Sequence, residues 1–219
     1  VRSTWTAAIQ HAAPVSALLV RALERCAARD DTRLSRVAID LLGPVPADGD
    51  MWVRSKVERP GKQIELISAE TLARGPDGQP RPTARATGWR LQKLDTADLA
   101  HASAPLPRPL GEAPSRDLAK NFDRNYVHSL DWRWLTKPLN EGPGESWIKP
   151  TTNLVDGETM TQLERLFAVA DCANGIGSKI DITKWTFLNN DLVVHVHRIP
   201  DGEWVGIRPG TDGALILAI

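Results

Sequence analysis

A carboxylate set among small residues is the first feature that could do chemistry. Asp171 stands in Ala168-Val-Ala-Asp-Cys-Ala-Asn-Gly, with Ala168, Ala170, Ala173, Gly175 and Gly177 around it. Small neighbours leave room for a ligand, and a carboxylate there can take a proton from water or orient water toward a carbonyl carbon. Further on, Asn189, Asn190, Asp191, His195 and His197 share one stretch. Strand alternation puts Asn189, Asp191, Val193, His195 and His197 on one face and Asn190, Leu192, Val194 and Val196 on the other. The apolar face should pack on a helix, which brings Asn190 to the side of Asp171 unless a bulge shifts the register. Asp191, His195 and His197 are of metal-ligating type, but no further His or Cys pattern supports a metal, so exposed histidines are expected. Near the other end, His11-Ala-Ala-Pro opens a helix. Free N–H groups at a helix start can hold a developing oxyanion, which makes His11 and Ala13 candidates for substrate contact alongside Gly175.

These groups need elements to position them. Val15, Leu18, Leu19, Ala22, Leu23 and Cys26 recur at helical spacing, the pattern of a helix laid against one surface, and Pro14 fits its first turn. Strands are expected at Leu34–Leu42, Met51–Glu58, Ile64–Ala73 and Thr83–Leu91, separated by Gly43-Pro44, Pro60-Gly61 and Gly75-Pro-Asp-Gly turn chemistry. Pro105, Pro107, Pro109 and Pro114 mark a linker or long surface loop. Phe122–Trp134 then reads as strand-like, with Ser146–Lys149 able to pair beyond the turn at Glu141-Gly-Pro-Gly. Met160, Leu163, Phe167 and Ala170 mark a second amphipathic helix, and Lys184–Arg198 a strand after it.

The second half repeats the first. Pro200-Asp-Gly-Glu-Trp-Val matches Pro46-Ala-Asp-Gly-Asp-Met-Trp-Val in kind and in place, each following a helix and opening a strand. The unit is one helix cradled by an antiparallel sheet, present twice. Its expected bounds are residues 1–94 and 121–219, with 95–120 joining them.

With these motifs the chain resembles the double hot-dog acyl-CoA thioesterases, in particular the actinobacterial thioesterase family proteins. The resemblance rests on His11-Ala-Ala-Pro-Val-Ser-Ala-Leu-Leu, Asp156-Gly-Glu, Ala168-Val-Ala-Asp-Cys-Ala-Asn-Gly, Trp185-Thr-Phe-Leu-Asn-Asn-Asp-Leu, His195-Val-His-Arg and Gly202-Glu-Trp-Val-Gly. It implies an α+β double hot-dog fold, an acyl-CoA substrate, and hydrolysis of its thioester to free acid and CoA without a cofactor. In the better-known bacterial members an Asp on the second helix, a Thr on the next strand and a Gln on a later strand orient a water. Asp171 matches the Asp, and Asn189 or Asn190 stands at the Thr position. The Gln has no counterpart before Ile219, where the sequence stops within an apolar run, so further strand is expected beyond it. Two other readings stay open: a non-catalytic acyl-CoA or lipid-binding protein that kept the fold, and an enoyl-CoA hydratase pairing Asp191 with His195.

Composition narrows the field further. The 219 residues carry 27 basic and 27 acidic side chains, a balance that offers no electrostatic footprint for nucleic acid. No apolar run reaches the roughly 20 residues that span a bilayer, so no stable membrane insertion is expected. No signal peptide is visible at Val1, although the start without Met leaves a preceding segment open. Cys26 and Cys172 lie far apart on separate helices and read as small buried hydrophobes rather than as a disulfide or metal pair. The sequence has no G-x-x-x-x-G-K-[ST] loop and no G-x-S-x-G elbow, and Asn174-Gly-Ile-Gly ends a helix instead of opening one. A cytoplasmic homo-oligomer is the expectation, since exposed sheet edges and backs invite association.

Overall fold

The computed structural model describes residues 2–4, 6–99, 107–114, 125–136, 144–178, 180, 184–210 and 213–218. After a short N-terminal segment come helix α1 (Ala12–Arg25) and strands β1 (Thr32–Leu41), β2 (Met51–Arg59), β3 (Ile64–Arg74) and β4 (Pro80–Gln92). Strands β5 (Leu130–Trp134) and β6 (Ser146–Pro150) precede helices α2 (Gln162–Ala170) and α3 (Cys172–Gly177). Strands β7 (Asp191–His195), β8 (Val205–Gly210) and β9 (Gly213–Ala218) close the chain. Among the described residues the ladders are all antiparallel, as expected for a double hot-dog, and the four first-half strands stand where turn residues divide them.

Two sheets result, in the orders β2-β3-β4-β1-β7 and β5-β6-β8-β9. The first strand after each helix, β1 and β7, pair with one another about Ala38↔Val193, so a second-half strand completes the first-half sheet. The repeated turns that precede β2 and β8 also match in backbone: Gly49 and Gly202 both have left-handed φ, at 96° and 78°. Glycine adopts that conformation without the Cβ clash other residues meet.

Helix α1 lies across the inner face of the first sheet, over Val37, Ile39, Ile67, Ala69, Ala84 and Ala86. A Cβ on Gly88 would sit 2.8 Å from Leu34 Cδ2 and 3.2 Å from Leu23 Cδ1, so this strand position must be bare for the helix to seat. The helix is buried beyond the stripe its sequence predicts. Ser16, Ala17 and Val20 are buried while Leu18 is only half-buried. The reason is α2, which packs against the side of α1 turned from the sheet. Each helix is thus covered on two sides, and burial on α2 extends over Leu163, Glu164, Leu166, Phe167, Ala168, Val169 and Ala170.

The two helices run antiparallel, as their end contacts show. At one end, Arg21 and Arg25 of α1 both donate to Glu158, just before α2, and the Thr161 hydroxyl donates to Glu24 at 2.7 Å. Thr161 also forms a capping box with Glu164, satisfying free N–H groups of α2. At the other end, His11 meets Asp171. The C-terminus of α1 is held from below by Arg90, a guanidinium on the inner face of β4 that is only 3% exposed. It donates to the carbonyls of Leu23, Cys26 and Ala27 and to the Glu65 carboxylate at 2.8–3.0 Å. Those carbonyls include ones the helix cannot satisfy internally.

Some segments depart from the sequence reading. The strand expected over 184–198 is formed only at Asp191–His195, and 184–190 runs as irregular chain. Of the stretch 122–134, residues 122–124 lie outside the described residues, Asn125–Ser129 is a 3-10 turn, and Leu130–Trp134 is β5.

Removing Arg90 strips three carbonyls and a buried carboxylate of their donor at once. Arg90→Met should lower unfolding free energy by about 3–5 kcal/mol in urea denaturation, the cost of breaking a buried pair from one side. A loss below about 1 kcal/mol would show that Arg90 is not what holds α1 to the sheet.

Candidate active site

The short break between α2 and α3 leaves a carboxylate that the helix does not use. Asp171 stands at the N-cap position of α3, where an aspartate ordinarily accepts from the N–H two or three residues on. Here its backbone is helical, with φ −64° and ψ −20°, because α2 runs almost directly into α3, and its side chain makes no cap hydrogen bond. The carboxylate, nearly buried, turns instead toward two groups from distant parts of the chain.

The first is Asn189, whose Nδ2 donates to Asp171 Oδ1 at 2.6 Å. This corrects the expectation that Asn190 lies on the Asp171 side. Asn190 is exposed, and its backbone carbonyl accepts from Leu41 N–H as the ladder with β1 begins. Alternation holds only inside the ladder, which starts at Asp191, and Asn189 precedes it.

The second is His11, whose Nδ1 lies 3.2 Å from Asp171 Oδ2. The same Nδ1 accepts the Ala13 N–H at 3.1 Å, making His11 the N-cap of α1. His11 is fixed by the chain before it, where Gln10 N–H donates to Val45 and its side-chain amide to Pro46. Tyr126 covers the imidazole from the other side, with ring centroids 4.8 Å apart, and its hydroxyl donates to the Ala168 carbonyl of α2. The Tyr126 contact has no periodic signal in the sequence. The residue is the chain's single tyrosine, and that alone could have singled it out.

One atom cannot serve both neighbours of His11 at once. While Nδ1 accepts the Ala13 N–H it carries no proton to give Asp171. Burial pushes the His11 pKa down, against the pull of the Asp171 charge, so the ring is neutral at neutral pH and the cap is made. Asp171 is then held through Oδ1 by Asn189, and Oδ2 is left without a donor among the described residues. A carboxylate with one oxygen fixed and the other short of a proton is suited to accept from a water.

The remaining candidates divide. Ala13 is fully buried and its N–H is spent on His11, so it is not a free oxyanion donor. Gly175, on α3 one turn beyond Asp171, borders open space, with no atom within 4 Å of where a Cβ would lie. Asp191 and His195 are exposed on the outer face of β7, away from the helices and from Asp171, an arrangement that does not suit the hydratase pairing. Arg25, at the position in the first half matching Asp171, is engaged with Glu158 at the opposite end of the helix pair.

Comparison with known proteins bears on this geometry. A family model described as the acyl-CoA thioesterase N-terminal domain matches residues 1–91, and one described as the acyl-CoA thioesterase C-terminal domain matches residues 98–212. No curated protein matches the chain. Among solved structures, a hot-dog protein of unknown function from Alicyclobacillus acidocaldarius superposes with TM-score 0.64 at 10% identity, over 97% of this chain and 86% of that one. A putative thioesterase from Novosphingobium aromaticivorans gives 0.65 at 15% identity, over 91% and 74%. An acyl-CoA thioesterase II from Mycobacterium marinum gives 0.58 at 14%, over 82% and 68%. At such identities the likeness to these structures is one of fold.

Cys172 adjoins Asp171 and could be mistaken for a nucleophile. Burial, then the Asp171 charge, push its pKa far above the ordinary thiol value, which leaves it a protonated, inert thiol. Alkylation of the native protein near pH 8 should therefore modify half-buried Cys26 and spare Cys172, as read by peptide mass spectrometry. Early modification of Cys172 would contradict this site geometry.

Proposed function

The chain belongs to the acyl-CoA thioesterase family, hydrolysing the thioester of an acyl-CoA, and from that premise we propose that Asp171 orients and deprotonates the attacking water. The observation that carries this is the carboxylate at the α2–α3 junction, unspent on capping, with Asn189 on one oxygen and the other without a donor among the described residues. Water held on Oδ2 gives up a proton to Asp171 as its oxygen bonds to the thioester carbon. The tetrahedral intermediate then collapses, the C–S bond breaks, and the proton passes to the departing CoA sulfur. Asn189 fixes the carboxylate in the attacking orientation. His11 lies beside the reacting oxygen and, through its cap, holds the start of α1 there. Gly175 leaves space for substrate.

This reading extends to the whole chain. The two hot-dog units are residues 1–94 and 121–219, joined by 95–120, and the β1–β7 ladder supports reading them as a fused pair. Among the described residues no helix is long and apolar enough to cross a membrane. The protein is a cytoplasmic homo-oligomer in this proposal.

Thiol release from acyl-CoA tests the assignment. Asp171→Ala should abolish it, and Asp171→Asn should lower kcat by about 10²–10⁴-fold, the range for loss of a general base. Asn189→Leu should cost about tenfold to a hundredfold, as expected for one hydrogen bond to a charged group. Unchanged turnover in Asp171→Ala would overturn the proposal.

The pH profile tests the part played by His11. Its lowered pKa means that it charges only below the ordinary imidazole value of about 6.5. Once charged, Nδ1 carries a proton to Asp171 Oδ2 and occupies the oxygen meant for water. Activity should thus fall as pH drops through that lowered value. His11→Asn keeps a capping oxygen but does not titrate, so its acid limb should move to lower pH. An acid limb that stays in place would remove His11 from the mechanism.

A further inference from the structure

We propose that Tyr126 is a positioning residue of this site: its ring shuts water from the His11 imidazole, and its hydroxyl holds that ring against the helix whose last turn leads into Asp171. The inference rests on the part given to His11 above and names what keeps that histidine uncharged.

Tyr126 stands outside both helices, in the 3-10 turn Asn125–Ser129. That turn is fixed from the second sheet. The Trp132 indole of β5 donates to the Val127 carbonyl at 2.9 Å, and the Trp132 ring stacks on Trp134 with centroids 5.4 Å apart. The Ser129 hydroxyl donates to the Tyr126 carbonyl at 2.7 Å, and the Ser129 carbonyl accepts the Thr151 N–H, just after β6, at 2.9 Å. The backbone that carries the tyrosine is thus tied down before the side chain reaches the helix pair.

The side chain then bridges the two halves of the site. Its ring lies 4.8 Å from the imidazole and is tilted by 31°, closer to stacked than to edge-on. Tyr126 is itself only 5% exposed, so the face of His11 that it covers is closed to water as well. The hydroxyl donates to the Ala168 carbonyl in the last turn of α2, three residues before Asp171. One side chain therefore touches both the start of α1 and the turn that leads into the carboxylate. Packing alone would ask only for an apolar ring, and phenylalanine would supply it. The hydroxyl adds a fixed spacing between that ring and α2.

Cover matters because His11 stands beside a carboxylate. Burial disfavours the imidazolium, and the Asp171 charge favours it. Burial prevails, and Tyr126 supplies it from one face. Among the described residues no other charge is set against His11. The first turn of α1 has no acidic residue, and Gln10, Val45 and Pro46, which fix the chain before it, are uncharged. Burial also keeps the Tyr126 hydroxyl and the Cys172 thiol protonated. Removing the ring tips the balance toward the cation, whose Nδ1 proton goes to Asp171 Oδ2. The tyrosine in this way sets the pH below which the carboxylate is blocked.

Two readouts test this, one of them independent of turnover. The His11 titration is followed by NMR of its ring Cε1–H, assigned by its loss in His11→Asn, and the acid limb of kcat/KM by thiol release. In Tyr126→Ala both should move to higher pH by about one unit, the direction of lost desolvation. Tyr126→Phe keeps the cover and should leave both in place, while loss of one hydrogen bond lowers kcat about threefold to tenfold at unchanged KM. In a His11→Asn background, Tyr126→Ala should no longer move the limb. Should circular dichroism show Tyr126→Ala unfolded, Tyr126→Leu, which keeps apolar volume without a flat ring, should give the same direction of change. A folded Tyr126→Ala or Tyr126→Leu in which His11 titrates as in wild type would overturn the proposal, as would a limb shift that persists without His11. Wild-type kcat in Tyr126→Phe would overturn the share given to the hydroxyl. A shifted NMR titration with an unmoved limb would instead overturn the part given to His11 in the reaction.

Discussion

Everything in this fold depends on two helices packed antiparallel, each lying on its own sheet. A helix on a single sheet buries one stripe and leaves its back wet. Here the back of α1 is closed by α2, so burial runs around both helices and reaches Ser16, Ala17 and Val20, which the local sequence pattern leaves outside. The pairing also fixes which ends meet. The start of α1 must lie beside the end of α2, and the end of α1 beside the start of α2. Two residues about 160 positions apart in sequence, His11 and Asp171, come together for that reason.

A duplicated unit would make those two ends alike, yet they differ in what occupies them. One end is closed by charge: Arg21 and Arg25 converge on Glu158, while Glu24 accepts from Thr161. Each charged group there has a partner, and the helix start is capped by Thr161 with Glu164. The opposite end has the carboxylate in place of Arg25, small residues around it, and open space at Gly175. Salt bridges in the first case fill the volume that a ligand would need. In the second, a helix junction withholds the aspartate from capping and leaves its oxygens for other partners.

Much of this was legible in sequence where the determinants are local. Turn residues such as Pro60-Gly61 and Gly75-Pro-Asp-Gly divide the first-half strands close to where they fall. Helical spacing located α1 and α2, and the matched Asp-Gly turns revealed the repeat. Asp171 could be singled out because the small residues around it are its sequence neighbours. What could not be read depends on partners elsewhere in the chain. Alternation selected Asn190, because nothing local says that the ladder begins at Asp191. The pairing of β7 with β1 is set across the two halves, and the 3-10 turn that brings Tyr126 onto His11 follows a long connection. Arg90 is a charged residue at an inward strand position, intelligible only once the end of α1 is seen above it.

The choice of histidine as a helix cap brings these threads together. Serine, aspartate or asparagine caps more strongly, and none of them would titrate near neutrality in this way. Aspartate at position 11 would set a second carboxylate against Asp171, and the like charges would repel. Serine would cap but is too short to lie against the Tyr126 ring and span to Oδ2. An imidazole satisfies the Ala13 N–H, fills the gap under Tyr126 and remains uncharged beside the carboxylate because burial disfavours its cation. The carboxylate keeps an oxygen free only while that cap is made. The order of the α1 start and the readiness of Asp171 are consequently settled by the same nitrogen, which ties the two halves of the duplicated chain into one site.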